Sequence, residues 1–287
     1  MKNEKSKRVI TGIIIVLVTF PVLFFTDTLV LTFYMMAVAC FGVYELLRCM
    51  KLDALYIIIP AEIFTAGCHV MLRFRLFGGS DIPSHKLEFV YLCIAVVFIF
   101  YMFALCVFKP ERYNIETNGF GTLMCIYVLA GTMSAVKICD MDNGKYAFPL
   151  IFISAWMTDV FAYLIGSLLG KHKLCPTVSP KKSVEGAIGG IFGNVFGFLV
   201  YAFIIAHIFR KTTAAYPALI IMAVLLSVVS QLGDLIMSLV KRRFGIKDFG
   251  KILPGHGGMM DRFDSITAVS ILIFISYVVV ESSRGFV

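Results

Sequence analysis

Residues 238 to 264 read SLVKRRFGIKDFGKILPGHGGMMDRFD, a charge-dense, glycine-bearing stretch between two strongly apolar runs. It holds Ser238, Lys241, Arg242, Arg243, Lys247, Asp248, Lys251, His256, Asp261, Arg262 and Asp264. Hydrocarbon cannot solvate such groups, so the stretch belongs in water or in a protein-lined cavity. Cations interleaved with spaced carboxylates suit a metal-assisted phosphate site, in which carboxylate oxygens take a divalent cation and Lys and Arg offset phosphate charge. The turn Pro254-Gly255-His256-Gly257-Gly258 adds glycines that accept positive φ, and its N–H groups could line a phosphate nest. A glycine turn by itself is usually only a turn. Asp261-Arg262-Phe263-Asp264, only two residues beyond it, makes this one specific.

Three other groups carry chemistry. Gln231, Asp234, Ser238 and Lys241 follow at i, i+3, i+7 and i+10, and at roughly 100° per residue they fall within about an 80° arc of one helix face. A carboxylate set among apolar residues, as Asp234 is, is costly without a compensating cation or partner. With Asp261 and Asp264 returning at the start of the next apolar run, the two helices would present Asp234 and Asp261 to one point. The plain alternative is a structural Asp paired with Lys or backbone donors. Ser179-Pro180-Lys181-Lys182-Ser183-Val184-Glu185-Gly186 opens another apolar run. There Ser179 and Ser183 read as helix caps, and Lys181 and Lys182 sit near a helix N-terminus, which favours anions. The competing reading of the lysines is a membrane-edge anchor. Gly186, Gly189, Gly190 and Gly193, just inside the run, read as small-residue helix packing. Asp159, within apolar 147–169, is an intramembrane carboxylate and so a functional candidate, against a simple interhelical hydrogen bond. Glu62 has only His69 near it in polarity and carries less.

The elements that must position these residues are membrane helices. The 287 residues are 59% hydrophobic and only 15% charged, against about 25% charged in soluble domains, and mean hydropathy is +0.89. Apolar residues come in blocks, nine of which meet the roughly 17–25 residues that a bilayer core demands: 9–25, 28–44, 55–72, 89–108, 120–136, 147–169, 186–209, 216–240 and 266–280. The expectation is an all-α, polytopic integral membrane protein of about nine transmembrane helices. It forms a single membrane domain over 1–287, with 1–140 as helical scaffold and 150–280 as catalytic spans and loops. The block 55–72 is the weakest, interrupted by Pro60, Glu62 and His69. The basic head Lys2, Lys5, Lys7 and Arg8 resembles a signal-peptide start, but no small-residue cleavage site follows, so the first block is read as a retained span.

Lys and Arg placement sets the orientation. With the N-terminus cytoplasmic, 18 of the 26 Lys and Arg fall inside, including those of loops 170–185 and 241–264. The net charge of +8 then expresses this bias and attraction to anionic lipid. No basic run with interleaved aromatics points to a nucleic-acid partner. Eight cysteines are scattered, mostly within spans and without a CxxC, and read as small core residues.

The stretch 238–264 resembles the signature of the phosphatidate cytidylyltransferase family, also called CDP-diacylglycerol synthases. Ser238, Lys241, Arg242, Lys247, Asp248, Gly250, Leu253, Pro254, His256, Gly257, Gly258, Asp261, Arg262 and Asp264 fill every position of that pattern. The segment 179–186 resembles a second family segment, with Ser183 where Thr is more usual, and Thr158-Asp159 with Ala162-Tyr163 resembles a third. The likeness is close over roughly residues 150–280. Before them the chain agrees only in being hydrophobic.

The resemblance implies that CTP and phosphatidic acid are converted to CDP-diacylglycerol and pyrophosphate, with Mg²⁺ and, as an open alternative, a second cation. It implies Asp234 and Asp261 as metal ligands, with Asp264 and Asp159 as further ones. Lys181, Lys182, Lys241, Arg242 and Lys247 would contact phosphates, joined by Ser179, Ser183, Glu185, Ser238 and Arg262 around the substrates. His256, Gly257 and Gly258 would shape the turn, and Asp248 would hold basic groups in place. No general base is assigned, because a phosphate nucleophile is already ionised. Partners are CTP, phosphatidic acid and membrane lipid, with a homodimer also entertained and no nucleic acid. The expected location is the bacterial plasma membrane, with the site facing the cytoplasm. Two rival readings are a transporter using Asp159 and Asp234 for coupling ions, and a CTP-dependent lipid kinase. The chain has no pair of halves with corresponding broken spans, and its charges gather at a membrane edge, which disfavours transport.

Overall fold

The computed structural model describes residues 17, 19–22, 29–78, 84–207, 216–255 and 257–284, without the side chains of 74–78, 84–88 and 280–284. It is almost wholly helical: α1 (Leu29–Cys49), α2 (Leu55–Gly78), α3 (Ser84–Phe108), α4 (Ile115–Cys139), α5 (Gly144–Leu169), α6 (Val184–His207), α7 (Tyr216–Arg243) and α8 (Met260–Arg284). All eight are long and apolar enough to cross a membrane. At 1.5 Å per residue each reaches the roughly 30 Å of a hydrocarbon core, and inside such a core a helix satisfies its own backbone. The chain is an integral membrane protein. Of the expected first span, residues 17 and 19–22 are helical and the rest lies outside the described residues.

Several boundaries move, and the shifts matter. α1 runs to Cys49, so Glu45 lies inside it. α8 begins at Met260, which puts Asp261 and Asp264 on the helix rather than before it. The reason is physical: a polar residue at a helix end is tolerated once its charge meets a partner, so hydropathy underestimates helix length there. The segment 179–183 is not the first turn of a helix. Ser179–Ser183 is a strand (β2) pairing antiparallel with β1 (Lys173–Cys175), and α6 starts directly after it.

The chain divides into two compact units that alternate along the sequence: Met1–Val136 with Phe244–Phe263, and Lys137–Arg243 with Asp264–Val287. In the first, α1 packs on α2 and α2 on α3. α4 is its most buried span at 67%, whereas α3, at 11%, is mostly exposed or half-buried. In the second unit the dominant pair is α5 and α6. Their contact runs along a glycine stripe: Gly186 meets Gly166 and the Ala162 carbonyl, Gly190 meets Thr158, and a Cβ at Gly189 or Gly193 would run into Ile165 or Phe161. Without a hydrophobic force between helices in lipid, close backbone approach and polar bonds supply the association. Those bonds are present. Asn194 donates to Ser154 Oγ (3.0 Å) and to the Ala223 carbonyl (2.7 Å). Thr158 donates to Ser227 Oγ (3.0 Å) and Ser265 to the Ser230 carbonyl (3.0 Å).

Candidate functional site

In the second unit, α7 delivers Asp234 and α8 delivers Asp264. Gly233 lets these helices touch, for a Cβ there would press on Ala268 and on the Asp264 carbonyl. Asp264 is 8% exposed and accepts the Ser265 N–H at 2.8 Å. Its carboxylate stands in the field of two like charges, Asp234 and then Asp159, with Lys241 opposing them. Lys241 is itself buried at the end of α7, while Asp159 is exposed on α5. Asp234 is closed on one side by the Lys182 ammonium, 2.5 Å from Oδ2, and on the other by the Ser238 hydroxyl, 3.3 Å from Oδ1. The helix-face spacing read from Asp234, Ser238 and Lys241 is thus used, whereas Gln231 turns to the Ala187 carbonyl of α6 (3.2 Å).

The hairpin β1–β2 brings Lys182 to Asp234. Ser183 then caps α6, accepting the Gly186 N–H at 3.1 Å, as an N-cap hydroxyl should. Ser179 sits at the far end of the strand, paired with Cys175, and caps nothing. Glu185 holds the hairpin's entry. It accepts the N–H groups of Lys171 and His172 and pairs with His172 Nδ1 at 2.6 Å. The Arg242 guanidinium donates to the Val178 carbonyl at the hairpin turn (3.4 Å). Two residues expected to face substrate therefore also brace the strand that carries Lys182. Lys181 is exposed beside it.

In the first unit the loop before α8 is shaped by two carboxylates. Asp261 Oδ2 accepts the N–H groups of Phe249 and Gly258, each at 2.8 Å. Glu45 accepts those of Met259 (3.0 Å) and Met260 (2.9 Å). Gly255 and Gly257 adopt φ of 77° and 88°, the left-handed region that glycine enters at no steric cost, and Leu253 closes the turn on the Gly257 carbonyl (3.0 Å). The Gly258 N–H, expected to meet a phosphate, is thus given to Asp261. Lys247, Asp248, Lys251 and Arg262 remain exposed around this core. His256 lies outside the described residues. Glu45 escapes the sequence pattern because the apolar block ends at residue 44, which leaves it in the polar flank with Arg48 and Lys51. The signal was present: an acid directly before Leu46-Leu47, one helical step from the apolar core.

The carboxylates supply only hard oxygen donors, the set that Mg²⁺ takes. Among the described residues no three His, Cys, Asp or Glu side chains stand ready as a metal cage. Mg²⁺ bound together with substrate phosphates needs only one or two protein carboxylates, so Asp234 and Asp264, like-charged neighbours, fit it.

Membrane helices that carry Lys-balanced carboxylates and an acid-clamped glycine loop define a membrane-embedded class of phosphate-handling enzyme. The cytidylyltransferase family model matches residues 6–280, and the chain belongs to that family of nucleotidyltransferases. It is 32% identical over 263 residues to the phosphatidate cytidylyltransferase of Staphylococcus haemolyticus, covering 91% of this chain and 95% of that protein. It is 34% identical over 262 residues to the enzyme of that name from Staphylococcus saprophyticus, with the same coverage. With that of Bacillus subtilis it shares 32% over 275 residues, covering 93% of this chain and 95% of the other. At 91–93% of the chain, these alignments take in most of 1–150 as well.

Proposed function

We propose that this chain transfers the cytidylyl group of CTP to phosphatidic acid. A phosphate oxygen of phosphatidic acid forms a new bond to the α-phosphorus of CTP, the bond from that phosphorus to the β-phosphate bridging oxygen breaks, and pyrophosphate leaves. CDP-diacylglycerol remains in the bilayer. The observation that carries the reading is the Asp234–Asp264 pair, flanked by Lys182 and Lys241. Both substrates are polyanions, so the first requirement is to offset repulsion, and the second is to stabilise charge as the leaving group departs.

On this reading Asp234 and Asp264 hold Mg²⁺, with Asp159 adding to the negative field. The ion would neutralise phosphate charge and align the reacting oxygens. Lys182 and Lys241 bind phosphate oxygens and keep the two acids from repelling each other when substrate is away. Lys181, Lys247 and Arg262, all exposed, draw in CTP. Arg242 and Glu185 hold the hairpin in place. Asp261 is retained as a metal ligand on the strength of its motif, alongside its clamping of the loop. The positive-inside bias supports a site open to the cytoplasm in a bacterial plasma membrane, where cytosolic CTP and bilayer phosphatidic acid meet.

The test uses purified full-length protein in detergent with Mg²⁺, phosphatidic acid and α-labelled CTP, following label into the lipid phase. Mg²⁺-dependent transfer by wild type, lost in Asp234→Asn and in Asp261→Asn, is the expected result. No transfer by folded wild type overturns the reading and turns attention to other lipid phosphates.

A further inference from the structure

Glu45 is an acid 1% exposed inside an apolar helix, and nothing in the proposed chemistry uses it. Burying a carboxylate is costly unless its oxygens are fully met, and an ionisable group inside a membrane span is a functional candidate by default. Its two oxygens meet the consecutive N–H groups of Met259 and Met260, more than two hundred residues away, where α8 starts. Those are N–H groups that a helix N-terminus leaves unsatisfied, at the positive end of its dipole. Glu45 therefore occupies the place that a phosphate would take at that helix end.

The fit of the loop around Glu45 is specific. A Cβ at Gly250 or at Gly258 would run into the Glu45 carboxylate. Two glycines of the motif are thus required by an acid from α1, not only by the turn. Gly258 is also the residue whose N–H binds Asp261, and Asp261 lies in the electrostatic field of Glu45. Four backbone amides, at 249, 258, 259 and 260, are pinned by these two acids.

We infer that Glu45 is a positioning residue for the reaction: from α1 it clamps the start of α8 and the glycine loop, and so fixes where Asp261, Lys247 and Arg262 stand. It touches no substrate and acts through the loop. The inference rests on the proposed cytidylyl transfer for its catalytic consequence, though not for the clamp itself.

The experiment compares wild type with Glu45→Gln, Glu45→Ala, Gly258→Ala and the Glu45→Ala/Gly258→Ala double variant, all as full chain in detergent. Glu45→Gln keeps the size of the side chain but turns one acceptor into a donor facing an N–H, so it carries the test even if the alanine variant fails to fold. Amide exchange at residues 258–260 should accelerate about 10-fold or more in Glu45→Gln, with the amides of α4 unchanged. kcat should fall about 10-fold or more, and by a larger factor than KM for CTP rises, because a misplaced loop costs alignment in the transition state. Removing the acid should also make alanine tolerable at 258, so that the double variant is more active than Gly258→Ala alone.

Unchanged exchange at 258–260 in both Glu45 variants overturns the clamp. Exchange that accelerates throughout the first unit, with kcat per folded molecule unchanged, overturns the positioning role in favour of a purely structural one. Wild type that transfers no label overturns the cytidylyl-transfer reading and with it the catalytic consequence, while the exchange data still decide the clamp.

Discussion

Glu45 and Asp261 in the first unit, and Asp234 and Asp264 in the second, are pairs of acids close enough to feel one another. They are compensated differently. The first pair takes four neutral backbone N–H groups on three of its oxygens, Glu45 Oε1 and Oε2 and Asp261 Oδ2, which fixes a loop. The second is answered by the side-chain cations of Lys182 and Lys241, which on the proposed function change partner when a polyanion or a metal arrives. The difference separates two uses of a carboxylate within one signature. Hydrogen bonds from the backbone make it a structural clamp, while side-chain cations, unlike backbone N–H groups, leave it exchangeable. Residue type alone does not separate them, for Asp261 and Asp264 stand three residues apart on one helix.

The sharpest way to break this comparison is to neutralise the exchangeable pair. Asp234→Asn and Asp264→Asn should each lower label transfer about 10²–10³-fold, and chelation of Mg²⁺ should abolish it in wild type. Thermal unfolding of Asp264→Asn should not shift downward, because the substitution removes a buried charge facing like charges. A marked loss of stability there would make Asp264 a clamp like Asp261.

Lys182→Ala comes next. It should raise KM for CTP about 10-fold, with a stability change of under about 1 kcal/mol, since a partly exposed ion pair contributes little to folding. An unaltered KM would leave Lys182 as a mere counter-ion to Asp234. Gly258→Ala probes the clamp by overpacking. It should destabilise by about 1–3 kcal/mol, and a double-mutant cycle with Glu45→Ala should return a coupling of about 1 kcal/mol. Additive effects would mean that the acid does not require a glycine at 258. The smallest effect belongs to the bonds that only assemble the second unit. Thr158→Ala removes the Ser227 contact and should cost about 1 kcal/mol, read as a lowered unfolding temperature with kcat per folded molecule intact.

Much of the site was legible because its chemistry is written in short spacings. Ser238, Asp234 and Lys241 share a face by helical period alone, and the glycines before Asp261 announce a turn in any context. Lys182 was legible as a basic residue near a helix start but not as the partner of Asp234. That depended on 179–183 becoming a strand, and with Pro180 and two lysines the segment has little strand propensity of its own. What forms it is the partner strand 173–175 and the bracing by Glu185 and Arg242. Glu45 was illegible in role, since the meaning of an acid at a helix end depends on which loop comes back to it.

Local composition alone makes this chain a bundle of membrane helices, with most of its basic residues at helix ends and in two loops. Bilayer thickness and the cost of an unsatisfied backbone in lipid act on local composition, and local composition is what a sequence displays. Packing alone settles which carboxylates are met by backbone N–H groups and which by lysines. That choice depends on distances between residues far apart in the chain: Glu45 to Met260, Lys182 to Asp234. Such distances are set by how helices and loops pack, and no residue's own type encodes them.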